Sequence, residues 1–163
     1  MNVSKKRSEI LKPKIQLRLF GYKKYFDSFH ALYEKKKLPN VVLLNGPKGL
    51  GKSTFIYHFI NFLLSQDEKD SYSAKNFTIN SDNKTFKLIQ NNIHPNFFLL
   101  ENDLIDKDIK IQQVRNLLKF LRKSTYSKNL KVVLLDNVEY LNLNSSNALL
   151  KALEEPSDNT YFF

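Results

Sequence analysis

The sequence, 163 residues long, contains no cysteine, which excludes disulfide bridges and thiolate zinc sites alike. A reducing compartment such as the cytoplasm suits such a chain. It also lacks any apolar run of the length a membrane span requires, and its start, Met1-Asn2-Val3-Ser4-Lys5-Lys6-Arg7, carries charge with no apolar stretch behind it. The expectation is a soluble, untargeted cytoplasmic protein with no membrane partner. Glycine is scarce, at 4, and acids are outnumbered, 16 Asp and Glu against 26 Lys and Arg, for a formal net charge of +10. The excess is uneven: residues 1–40 hold eleven Lys and Arg against three acids, and the remainder fifteen against thirteen. Arginine, the better phosphate fork, numbers only 4 beside 22 lysines. Such a lysine excess, beside abundant Asn and Phe, is open to a compositional bias of the source genome. It suits a solvated basic face and a surface that tracks a nucleic-acid backbone equally well. With 42% hydrophobic residues, the chain is the size of one domain and able to bury a real core.

The glycines that are present carry the strongest signal. Gly46-Pro47-Lys48-Gly49-Leu50-Gly51-Lys52-Ser53 is a complete G-x-x-x-x-G-K-S phosphate-binding loop, set between the apolar Val41-Val42-Leu43-Leu44 and a helix-like stretch. Glycines let consecutive backbone N–H groups turn toward a polyphosphate, and a following helix N-terminus adds a favourable dipole. Lys52 is placed to reach the β- and γ-phosphates. Ser53 offers a hydroxyl to Mg2+, an ion that dehydrates reluctantly and keeps water and phosphate oxygens as its other ligands. Thr54 is further polar capacity beside it. The motif indicates binding and does not by itself establish hydrolysis.

Periodicity organises the rest. Residues 1–18 read as a basic leader, interrupted by Pro13, with Ile15, Leu17 and Leu19 alternating as an extended segment; residues 19–163 read as one nucleotide-binding domain. Tyr25, Phe26, Phe29, Leu32 and Tyr33 recur at three- and four-residue spacing, which predicts an amphipathic helix from Tyr22 to Lys37, ended by Leu38-Pro39-Asn40. A buried strand is expected at 41–45, and after the loop a helix from Lys52 to about Ser65 with Phe55, Ile56, Phe59, Ile60 and Leu63 inward. Residues 66–92 are polar and read as a surface connection with one short helix near Lys84–Gln90. His94-Pro95 introduces a second strand, Phe97-Phe98-Leu99-Leu100; no ligand-type residue stands at metal-binding spacing from His94. After an acidic stretch at 101–108, Ile111, Val114, Leu117, Leu118 and Leu121 mark another amphipathic helix. Lys131–Leu135 is a third strand, a helix capped by Asn144 or Ser145 runs to Pro156, and Thr160–Phe163 is a fourth strand. Strands alternating with helices predict an α/β fold with a parallel sheet covered on both faces.

A bound magnesium triphosphate also needs a carboxylate at the end of a neighbouring buried strand, and Asp136, after Val132-Val133-Leu134-Leu135, supplies one. The residue after it is Asn137, whose amide can orient a water but cannot accept its proton. Glu139 is the nearest substitute base. The expectation is therefore nucleotide binding with slow or absent intrinsic hydrolysis.

The loop, the stretch Val132–Glu139 and Ser146-Asn147-Ala148-Leu149-Leu150-Lys151-Ala152-Leu153-Glu154-Glu155-Pro156 together resemble the bacterial clamp-loader AAA+ subunits of DNA polymerase III. Leu19-Phe20-Gly21, Leu38-Pro39, His94-Pro95 and Ile111-Gln112-Gln113-Val114-Arg115 stand where that family has similar residues, so the resemblance covers roughly 17–163. Among its types the chain is most similar to delta-prime. The gamma/tau motor reads Asp-Glu after its third strand and carries a four-cysteine zinc module, whereas this chain reads Asp136-Asn137 and lacks cysteine. The resemblance implies a three-layer P-loop NTPase core, ATP with Mg2+ and no zinc as cofactors, and gamma/tau and delta subunits as partners. It further implies indirect action on the sliding clamp at primed DNA, with the subunit itself acting largely as a stator. In the family a Ser-Arg-Cys arginine finger follows the fourth strand, and the sequence in hand stops at Phe163. The expectation is a core incomplete at its C-terminal end, before the fifth strand, sensor, lid and collar, with the edge of the first strand unpaired. Glu154-Glu155 lie in the last helical turn, where acids oppose the helix dipole, so the resemblance places them near an inter-subunit surface. Two other readings stay open: an independent AAA+ or gamma/tau-type ATPase with its own hydrolysis, and a basic DNA-binding module.

Overall fold

The computed structural model describes residues 12–102, 108–125 and 130–163; the first eleven residues of the basic leader and most of the acidic stretch at 101–108 lie outside them. The chain divides into two units, one formed by Met1–Leu38 with Asn45–Ile93 and the other by Pro39–Leu44 with His94–Phe163.

The first unit is built around α2, Lys52–Ser65, which follows α1, Lys23–Glu34. Every residue of α2 from Phe55 to Ser65 is buried, His58, Asn61 and Ser65 included, so this helix is covered on all sides rather than on one face. Phe26 of α1 is fully buried and lies edge-on to Phe59, Phe62 and Phe77 at 5.6, 5.7 and 5.4 Å, with its face stacked on Tyr72 at 5.1 Å. Tyr25 and Leu32, placed by periodicity on the inward stripe, are exposed. The helix also stops earlier than the sequence pattern suggests: Lys36 turns left-handed (φ 53°), and Lys37 N–H donates back to Leu32 O.

Residues 66–92 lie largely at the surface, with the short helix expected there, but they are more than a connection. Leu19 N–H donates to Phe77 O and Ile79 N–H to Leu17 O, so 17–19 and 77–79 run antiparallel, with Arg18 bridged to Thr78. The leader's described end thus belongs to the unit's hydrogen-bonded framework, although Pro13–Ile15 form a 3₁₀ turn rather than an extended piece. The polar residues of the segment are used internally. Helix α3, Lys84–Gln90, is capped by Asn83, whose Oδ1 accepts Phe86 N–H at 2.6 Å. The Glu68 carboxylate accepts Lys84 N–H, Thr85 N–H and Thr85 Oγ1–H, and so satisfies further free donors of that helix end.

In the second unit, β1 (Phe97–Leu100), β2 (Lys131–Leu135) and β3 (Thr160–Phe162) form a parallel sheet in the order β1-β2-β3, with Phe97 opposite Val132 and Val132 opposite Tyr161. Val132, Val133 and Leu134 are all buried, so neither face of the central strand meets water, as parallel sheets require. Helices α4, Ile111–Arg122, and α5, Leu143–Glu154, pack on one face. Val114, Leu117 and Leu149 meet Leu100, Val133 and Phe162 there. Asn142 caps α5 by accepting Ser145 N–H; Ser145, expected as a possible cap, is instead buried in the first turn and donates to Ile109 O. The C-terminus of α4 is closed by the buried Lys131, whose ammonium donates to Leu121 O and Lys123 O.

The expected strand at 41–45 is reduced to one parallel bridge, Val41 to Phe162, held by Phe162 N–H to Asn40 O and Val42 N–H to Phe162 O. Leu43 is 77% exposed. The segment therefore keeps its place beside β3 without a ladder. The α/β class with a parallel sheet is as the sequence predicts.

Candidate functional site

Of the chain's four glycines, three lie between Asn45 and Lys52, and all three have positive φ: 150° at Gly46, 88° at Gly49 and 86° at Gly51. L-residues adopt such angles at a cost, which explains glycine at these positions in a chain that otherwise avoids it. Gly51, left-handed, is the N-cap of α2, so the loop feeds its turned backbone directly into a helix start. Gly46 to Leu50 are exposed, whereas Gly51 to Thr54 are half-buried. The Lys52 ammonium donates to Gly46 O at 2.7 Å and to Pro47 O at 2.9 Å, closing the loop on its own lysine. Two of its carbonyl oxygens are thus drawn to one cation while the helix N-terminus leaves N–H donors at the other end. Such an arrangement concentrates positive charge and donors and suits an anion.

One residue that the sequence pattern assigned to no site also touches this loop. Tyr22, the N-cap of α1, donates its hydroxyl to Leu50 O at 2.7 Å. Its ring stacks on Phe55 of α2 with centroids 5.1 Å apart and planes 16° from parallel. Tyr22 sits at the edge of an aromatic periodicity, and nothing in that pattern distinguishes a loop contact from a core ring.

Asp136, Asn137 and Glu139 belong to the second unit, and the loop to the first. Within its unit Asp136 follows the central strand at its carboxyl end, the position from which side chains of parallel sheets meet ligands. It is half-buried, and its backbone N–H donates to Leu100 O, which extends the β1–β2 ladder by one bond. Asn137 is left-handed (φ 61°, ψ 53°) and its amide donates to Asn102 Oδ1 at 3.2 Å. The chain then enters a 3₁₀ turn, Val138–Tyr140, that leaves Glu139 exposed. The strand therefore ends before Glu139, and a same-face relation between Asp136 and Glu139 does not arise from strand alternation. Asn102 carries no motif of its own and was not singled out.

His94, read as a boundary residue, accepts Asn96 N–H on its Nδ1. Gln113 explains part of the Ile111–Arg115 stretch: its Oε1 accepts Lys110 N–H and its Nε2 donates to Glu101 O, tying the start of α4 to the residue after β1.

A parallel α/β sheet with a carboxylate at the end of its central strand, and a glycine loop that opens a buried helix, define the class of this protein. Over residues 21–163 the sequence matches the family described as DNA polymerase III, delta subunit, and the chain belongs to that family. Its curated relatives include the delta-prime subunit of DNA polymerase III from Pseudomonas aeruginosa, 37% identical over 118 residues, which cover 72% of this chain and 34% of that protein. The delta-prime subunit of Buchnera aphidicola from Schizaphis graminum is 31% identical over 135 residues, covering 81% and 38%. That of Escherichia coli is 26% identical over 138 residues, covering 85% and 40%. The chain thus spans between a third and two fifths of the length of these relatives. A crystal structure of a DNA polymerase III gamma subunit-related protein from Thermotoga maritima overlaps 42% of this chain and 22% of its own, at 26% identity and a TM-score of 0.39. Among the described residues, no helix is long and apolar enough to cross a membrane.

Proposed function

We propose that the chain is the nucleotide-binding part of a delta-prime-like clamp-loader subunit, which binds ATP with Mg2+ and assembles with gamma/tau and delta subunits in the cytoplasm to place a sliding clamp on primed DNA. The observation that carries the nucleotide reading is the loop itself: three positive-φ glycines running into the N-terminus of α2, with Lys52 folded over the loop carbonyls. The assembly reading is supported by the family and by the delta-prime names of the relatives.

In this reading the loop Gly46–Thr54 would bind the phosphates through its backbone N–H groups, which Pro47 alone lacks, and Lys52 would exchange its carbonyl partners for phosphate oxygens. Ser53 and Asp136 are the residues that would hold Mg2+, which would supply positive charge to offset that of the phosphates. Asn137 directs its amide to Asn102 and has no basic atom with which to take a proton from water, so hydrolysis by this chain is slow or absent. Glu139 is the weaker candidate for that role.

The test is a titration of the chain with MgATP alongside Lys52→Ala, together with capture of purified gamma/tau and delta subunits. Binding lost in the variant and kept in the wild type supports the site. Equal binding by both removes it, and failure to capture either subunit removes the assembly reading. Rapid ATP turnover by the chain alone overturns the assignment of slow hydrolysis.

A further inference from the structure

The geometry points to Tyr22 as a positioning residue of the phosphate loop, one that orients a single peptide plane so that the Gly51 N–H is available to an anion. This rests on the nucleotide reading above. The Tyr22 hydroxyl donates to Leu50 O at 2.7 Å. A peptide unit is planar, and among the described residues no peptide is cis, so the C=O of Leu50 and the N–H of Gly51 point in opposite directions. Fixing the carbonyl toward Tyr22 therefore fixes the Gly51 N–H away from it. Gly51 is a residue for which this matters: at φ 86° it has little intrinsic preference between two faces of the peptide, and no Cβ restrains it.

Tyr22 is itself held at both ends. Its backbone carbonyl accepts Phe26 N–H at 2.9 Å, which fastens it to α1. Its ring lies flat on Phe55, one turn into the helix that the loop opens, and is tilted against Tyr25 at 5.8 Å. The hydroxyl is thus delivered from two helices to a loop whose other residues, Gly46 to Leu50, are exposed. The left-handed Gly21 (φ 76°) just before it sets the chain direction that makes this possible. A Cβ on Gly51 would lie 3.6 Å from the Tyr22 ring, ordinary contact, so the requirement for glycine there is conformational rather than steric.

Two variants separate the hydroxyl from the ring. Tyr22→Phe keeps the stack on Phe55 and deletes the donor; Tyr22→Leu deletes both. Each is titrated with MgATP and with magnesium tripolyphosphate, thermal midpoints are recorded, and the Gly51 amide is followed by 15N NMR. The expected result is an affinity loss of about 3- to 10-fold for both ligands in both variants, in line with one neutral hydrogen bond. The thermal midpoint falls only in Tyr22→Leu, and the Gly51 amide signal shifts in Tyr22→Phe before any ligand is added. A merely structural role would lower the midpoint and affinity together. Wild-type affinity and an unmoved Gly51 signal in Tyr22→Phe overturn the assignment while leaving the loop's function intact. A wild-type chain that binds neither ligand overturns the nucleotide reading, and this proposal with it.

Discussion

His58 makes the first unit's stability depend on pH between the imidazole's ordinary pKa and its lowered value in the fold. It lies in the second turn of α2, is fully buried, and has its Nδ1 3.2 Å from the Tyr72 hydroxyl. Burial lowers its pKa from 6.5 to about 4, and a backbone hydrogen bond to Gln16 works in the opposite direction without cancelling that effect. The folded state therefore resists a proton that the unfolded state takes up. Below pH 6.5 the unfolded chain binds more protons, so stability falls as pH falls, until His58 also protonates in the folded state near pH 4. With those two values the loss between pH 7 and pH 4.5 is about 2 kcal/mol, a large share of the 5–15 kcal/mol typical of a domain. Carboxylates titrate over the lower part of this range, so the useful quantity is the difference between wild type and His58→Leu. Leucine removes the titration at a pH-independent cost in packing and in the Tyr72 partner. Urea unfolding followed by far-ultraviolet circular dichroism, at half-unit steps from pH 7.5 to 4.5, reads both proteins without relying on Tyr72 emission. Wild type is expected to lose about 2 kcal/mol more than the variant over that range. Parallel curves would refute the argument, because they would show that the imidazole titrates in the folded state as it does in the unfolded chain.

Three further outcomes follow from the packing. Phe26→Ala removes a fully buried ring bordered by Phe59, Phe62, Tyr72 and Phe77, and should cost about 3–5 kcal/mol in urea unfolding. Glu68→Ala strips α3 of the carboxylate that accepts from Lys84, Thr85 and the Asn83 side chain, and should cost about 1–3 kcal/mol; hydrogen exchange should rise first at the Lys84 and Thr85 amides. At Asn137 the left-handed backbone accepts glycine with a change of a few tenths of a kcal/mol, whereas Asn137→Glu should destabilise the chain by about 1 kcal/mol, as measured by thermal unfolding.

The helices and strands that could be read from sequence are those whose apolar pattern repeats over several turns or is bounded by clear breakers. Helix α3 was predicted at Lys84–Gln90 and lies there, and β2 at Lys131–Leu135 likewise. Failures have local causes. Periodicity cannot tell a helix buried on one side from one buried all round, so it gave no sign that His58, Asn61 and Ser65 are buried beside the inward apolar residues. Composition made 66–92 look solvated because it counts Asn, Asp and Glu without knowing their partners. In the structure Asn61 donates to Asn83, Asn83 donates to Glu68, and Glu68 caps a helix. A run of apolar residues, Val41–Leu44, suggested a buried strand, yet a strand is defined by neighbours as much as by its own residues. The register with Phe162 gives this one a single bridge.

The candidate site divides along the same line. Its glycines were legible because positive φ and residue type are nearly synonymous, and its lysine because the motif fixes the spacing. Tyr22 and Asn102 were not, since each acts through a contact far away in sequence, at Leu50 and at Asn137. Asn137 shows how the two kinds of information change one another. Sequence alone weighs it for what an amide cannot do to a water molecule. The structure adds that its backbone is left-handed, a conformation in which asparagine is among the few comfortable residues, and that its side chain is engaged with Asn102. Chemistry and backbone therefore favour the same residue for unrelated reasons. Introducing a glutamate there to supply a base would also remodel the turn that follows Asp136. A gain of hydrolysis in Asn137→Glu is consequently not a clean converse of the slow hydrolysis proposed above, and the substitution must be read together with its effect on stability.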